Sequence, residues 1–94
     1  MRVYISGPMT GYRDYNKPAF LSAENKLRAA GYEVFNPASF KVNDDFDIKG
    51  IALIDLAALS ECDYIYLLDG WQKSKGARAE YEVAKWLNIP RIKL

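Results

Sequence analysis

Ninety-four residues, half of them hydrophobic, make one domain (residues 1–94) with a real core, and a formal charge of +1 without a basic stripe excludes a nucleic-acid-polymer surface. The absence of histidine removes the commonest general base and metal ligand, and the lone Cys62 excludes an internal disulfide or a thiolate metal cluster. With no signal peptide and no long apolar run, the expected setting is the cytoplasm, with no membrane partner; a chain this short also gains from self-association.

The first element is a strand over 1–6, rich in β-branched and aromatic residues. Gly7-Pro8-Met9-Thr10-Gly11 ends it, and a polar loop runs to Asn16. Pro18 suits a first helical turn; Phe20, Ala23, Leu27 and Ala30 share one helical face, and Gly31 stops the helix. A second strand, 32–35, closes at Asn36-Pro37. Residues 38–45 form a loop with a doubled acid. From about Phe46 a helix runs to Glu61, apolar nearly all round (Ile48, Ile51, Leu53, Ile54, Leu56, Leu59), which predicts burial on two sides, the second against another subunit. Residues 63–68 form a near-continuous apolar strand, the pattern of a central parallel one. A helix over 77–88 and a short strand over 90–94 complete the chain. The order β-α-β-α-β-α-β predicts an α/β fold: a four-stranded, parallel, doubly wound sheet with helices on both faces.

Ligands of such sheets sit at the carboxyl ends of the strands, where the loops 6–16, 36–45 and 69–76 gather. The first lacks the Gly-Lys-Ser/Thr ending of a phosphate loop and the spacing of a dinucleotide fingerprint. Gly7 there is either an ordinary turn residue or a point of close backbone approach to a ligand. Glu80 shares a helical face with Ala77, Tyr81, Ala84 and Leu87, the face that lies on the sheet. It reads either as an acid favoured by the helix dipole or as a functional carboxylate. Asp55 repeats the anomaly on the face of Ile48, Ile51, Ala52 and Leu59: a paired structural acid, or half of an acid pair suited to glycosyl transfer. Tyr4 is either core or a hydroxyl partner for Glu80. Trp71 is a stacking platform for a base or a lid over the core. Asp44, Asp45 and Asp47 lack a calcium-loop spacing, so no metal is expected.

The set Tyr4-Ile5-Ser6-Gly7-Pro8, Asp55, Cys62-Asp63 and Ser74-x-Gly76-Ala77-x-x-Glu80 resembles the nucleoside 2-deoxyribosyltransferase superfamily, which includes the 2'-deoxynucleoside 5'-monophosphate N-glycosidases. The match spans nearly the whole chain and is nearest to a small, often phage-borne branch. It implies a flavodoxin-like or Rossmann-like sheet, a homodimer or higher homo-oligomer, a nucleoside or nucleotide substrate and no cofactor. By that resemblance Glu80 is the nucleophile at C1' of the sugar, Tyr4 orients it, and Asp55 is the candidate for protonating the base. Ser74 contacts a sugar hydroxyl or 5'-phosphate, and Gly76 lets the substrate close on the helix start. Ser6, Gly7, Pro8, Asp69, Gly70 and Trp71 complete the expected substrate contacts. The chain departs from that pattern in its length, stopping after the last strand, and in its first loop, which lacks the Gly-rich, Arg-bearing phosphate run of the monophosphate hydrolases and offers Arg13 as a candidate substitute. Three functions follow from these residues: an N-glycosidic enzyme, a nucleotide or nucleotide-sugar binding module, or an interaction protein using its apolar second helix.

Overall fold

The computed structural model describes residues 1–40 and 48–94, and it is built around the first strand. β1 (Arg2–Ser6) lies in the middle of a three-stranded parallel sheet, between β2 (Glu33–Phe35) and β3 (Tyr64–Leu67), in the order β2-β1-β3. Val3 is opposite Val34 on one side and Tyr64 on the other; Tyr4 is opposite Phe35 and Ile65. Among the described residues three α-helices complete the domain: α1 (Lys17–Ala29), α2 (Ile48–Ser60) and α3 (Lys75–Trp86). None of the described helices is long and apolar enough to cross a membrane.

Alternation along β1 sends its side chains to two cores. Val3 and Ile5 pack with Phe20, Ala23 and Leu27 of α1. Tyr4 points the other way, into a cluster with Leu59 of α2 and Ala84 of α3. The helices are therefore on both faces, one against two. Three strands about 4.8 Å apart are wider than one helix of about 10 Å. The α1 face of β3 is accordingly left partly open, and β3 carries half-buried Tyr64 and Tyr66 there, with Ile65 and Leu67 buried on the side that α2 and α3 cover.

The expected fourth strand over 90–94 is corrected to a single bridge between Ile65 and Arg91. The Ile65 N–H donates to the Pro90 carbonyl (3.0 Å), and the Ile92 N–H to the Ile65 carbonyl (2.9 Å). Extending this ladder backward would require a donor N–H at residue 90, which proline lacks. The second helix is described from Ile48, and its outer face is open: Leu53 is 70% and Ile54 65% exposed. The acidic positions Asp44, Asp45 and Asp47 lie outside the described residues.

Candidate functional site

The site begins with two residues of one strand face. Tyr4 and Ser6 are two apart on β1, so both point toward α3, and both are fully buried. Glu80, in the second turn of α3, comes down onto them because Ala77 and Ala84, three before and four after it, are the small residues that seat the helix on the sheet. The Tyr4 hydroxyl donates to Glu80 Oε2 at 2.8 Å, and the Ser6 hydroxyl donates to Oε1 at 2.6 Å. Each carboxylate oxygen thus receives one charge-assisted hydrogen bond, which fixes both the position and the plane of the group. Glu80 itself is half-buried, at the carboxyl end of the central strand.

Burial, reinforced by the negative charges of Glu80 and then Asp55, pushes ionisation of the Tyr4 hydroxyl far above the ordinary phenol range. Tyr4 is therefore a proton donor toward Glu80 at any pH the fold withstands. Its ring is stacked on Phe35 at 5.5 Å. Asp55, 6% exposed on α2, is close enough for its charge to reach that hydroxyl. Tyr4, Ser6, Asp55 and Glu80 therefore converge on one side of the sheet.

The other expected residues form the rim. Ser74 caps α3, its hydroxyl oxygen accepting from the Ala77 N–H at 3.2 Å. Gly76 follows at the open start of the helix, where an added Cβ would meet nothing within 4 Å. Gly7 has a different reason to be glycine: a Cβ there would stand 2.7 Å from Leu68 Cβ, so its close approach is to the neighbouring strand end. Pro8 is buried, and its carbonyl accepts from Asn16 Nδ2 at 2.9 Å. Gly70 adopts a left-handed conformation (φ 86°), with the Tyr12 hydroxyl 2.8 Å from where a Cβ would stand. The first and third loops therefore touch over the β1–β3 crevice. Asp69 is exposed beside them.

Trp71 is half-buried. It meets Tyr81 edge-on at 5.2 Å, packs against the α2–α3 core, and has the Arg91 guanidinium 5.7 Å from its ring centre. These contacts fit its reading as a lid over the core. Cys62 is also structural: buried, with its thiol donating to the Ala58 carbonyl (3.3 Å) and pushed up to about 11 by burial. No cluster of three or more potential metal ligands occurs among the described residues.

The residue that sequence reading missed is Ser6 as a partner of Glu80. It stood among the expected substrate contacts, yet its two-residue spacing from Tyr4 was the available signal.

No curated protein matches the chain. Residues 1–92 match the model of a family described as a domain of unknown function (DUF4406). That match takes in β1, the turn before α3 and Glu80 alike, and the chain belongs to the DUF4406 family.

Proposed function

We propose that this chain cleaves or transfers the N-glycosidic bond of a nucleoside or nucleoside 5'-monophosphate, with Glu80 as the nucleophile. The observation that carries the reading is the Glu80 carboxylate held by two buried hydroxyls at the carboxyl end of the central strand.

In the proposed first step a Glu80 oxygen bonds to C1' as the C1'–N bond breaks, and that bond's electron pair leaves with the base. Positive charge growing on the sugar is stabilised by the carboxylate, and Asp55 supplies the proton that the base takes. In the second step water attacks C1', the bond to Glu80 breaks, and the proton from water returns to Asp55. A second base in place of water gives transfer. The open surface at Gly76 and the free N–H groups of the α3 start support a sugar hydroxyl or a phosphate there. The exposed Leu53 and Ile54 support a homodimer or higher assembly through α2.

The test is chromatographic detection of free base from a panel of nucleosides and 5'-monophosphates. Wild type is expected to release base and Glu80→Gln to lose at least about 1,000-fold in rate, the scale of removing a group that acts in the transition state. Equal release by both proteins ends the proposal. The alternative, nucleotide or nucleotide-sugar binding without cleavage, is favoured by the engagement of both Glu80 oxygens within the fold. It gives thermal protection by a ligand with no base released.

A further inference from the structure

A groove of about 460 Å³ lies on the opposite face of the sheet from Glu80, between α1 and β3. It exists because α1 alone cannot cover three strands, and β3 floors it with Tyr66. Ala19, Ala23 and Lys26 recur at helical spacing along its α1 wall, about 10 Å of helix at 1.5 Å per residue, with Asn16 just before the helix start. The far wall is the end of β3 and the Asp69-Gly70 turn, with Tyr12, 45% exposed, at the top.

The chemistry of the lining is specific. The polar ends of Tyr12, Ser22, Lys26, Tyr66 and Asp69 make no hydrogen bond or ion pair among the described residues. Two aromatic rings, one cation well down the helix wall and one carboxylate at the top therefore face one concavity with their interactions unspent. A groove with charges of both signs does not suit an apolar helix. Its volume falls in the range of small-molecule sites, about 300–1,000 Å³, and its open lining is about evenly polar and apolar, which suits a polar ligand.

The segment above it is conformationally costly as well. Asp14, Tyr15 and Asn16 are all left-handed, with φ of 53°, 52° and 63°. Such residues cost about 1 kcal/mol or more each and concentrate at ligand sites. Here they turn the chain so that Asn16 bonds the Pro8 carbonyl and the helix starts beside the groove.

We infer that this groove is a second binding site, on the other face of the sheet from Glu80 and sharing only the Asp69-Gly70 turn with its rim, for a small molecule joining an amino-bearing planar heterocycle to an anionic group, as in a nucleoside monophosphate. The ring lies against Tyr12 and Tyr66, its amino group donates to Asp69, and the phosphate meets Lys26. The site does not depend on any reaction at Glu80.

Calorimetric titration with adenosine 5'-monophosphate tests it, in a Glu80→Gln background so that no bound nucleotide is consumed. Ser22→Trp places a bulky ring into the groove from an exposed helix position, and Lys26→Glu reverses the cation while leaving the groove open. The expected result is one binding event lost, or weakened at least tenfold, in each variant, with adenosine binding more weakly than its monophosphate only while Lys26 is present. Affinity and stoichiometry alike in the parent and both variants overturn the inference, as does an absence of binding in all three. A Ser22→Trp protein whose particle mass changes while its nucleotide affinity does not would give the groove to a second copy and overturn it equally.

Discussion

A carboxylate gains its character from the atoms that touch it, and in this chain two hydroxyls from one strand face touch Glu80 on separate oxygens. The pairing has a pH signature through Tyr4. An unfolded tyrosine ionises near pH 10, whereas native Tyr4 stays protonated far beyond that because it is buried beside two acids. Above about pH 10 the unfolded chain therefore binds one proton fewer than the native one, and stability falls as pH rises. Below pH 10 the contribution is complete. Tyr4→Phe removes this loss, so between pH 10 and 11 the wild type should lose up to about 1.4 kcal/mol more than the variant. Urea midpoints at pH 9 and 11 read the difference, and parallel declines refute it. Tyr4 and Glu80 were both legible in the sequence, one from a period of two and the other from a period of 3.6. Ser6 was legible by the same rule but looked like a loop residue, because a strand's last position and a loop's first are indistinguishable before the pairing partner is known.

At the scale of the elements, two glycines on one rim separate packing from function. A Cβ at Gly7 collides with Leu68 Cβ, an atom fixed to the backbone that cannot swing away. Gly7→Ala should cost about 1–3 kcal/mol by overpacking. Gly76, early in α3, has open space instead, and Gly76→Ala should stabilise the helix by about 0.5–1 kcal/mol. If the substrate closes on that surface as proposed, the same methyl raises KM although it raises the melting temperature. Thermal scans and base-release kinetics on the pair check both halves. A Gly76→Ala protein that is more stable with KM unchanged removes the rim from the proposed contact. Sequence periodicity found all three helices within a few residues; Ser74 was read only as a substrate contact, and its capping of α3 shows in the bond from the Ala77 N–H. The last strand was overread: an apolar stretch after a helix looks like a strand, but a ladder needs consecutive pairs, and Pro90 interrupts this one.

For the whole molecule the controlling fact is asymmetry: two helices on one face of the sheet, one on the other. The alternation of elements announced a parallel α/β sheet with both faces covered, and that much of the fold was readable. How completely each face is covered depends on the lateral position of the helices, which no local pattern encodes. The apolar circumference of α2 announced a second buried side, and in the single chain that side holds Leu53 and Ile54 open to solvent. The proposed assembly through this face predicts that light scattering finds a dimer or larger particle for the wild type. Leu53→Lys with Ile54→Glu should then give a folded monomer, with little change in far-ultraviolet dichroism. A wild type already monomeric at the concentrations of the activity assay removes α2 from the assembly.

The central place of β1 has a consequence for how the protein comes into being. Tyr4 and Glu80 are separated by 76 positions, and Ser6 and Glu80 by 74. During synthesis the middle strand emerges first and waits: one neighbour follows some thirty residues later, the other after about sixty. The hydroxyls meet their carboxylate only after all three strands have been made. A chain that stops before residue 80 thus carries the strand and its hydroxyls but no carboxylate for them to hold, so the proposed centre cannot form before α3 does.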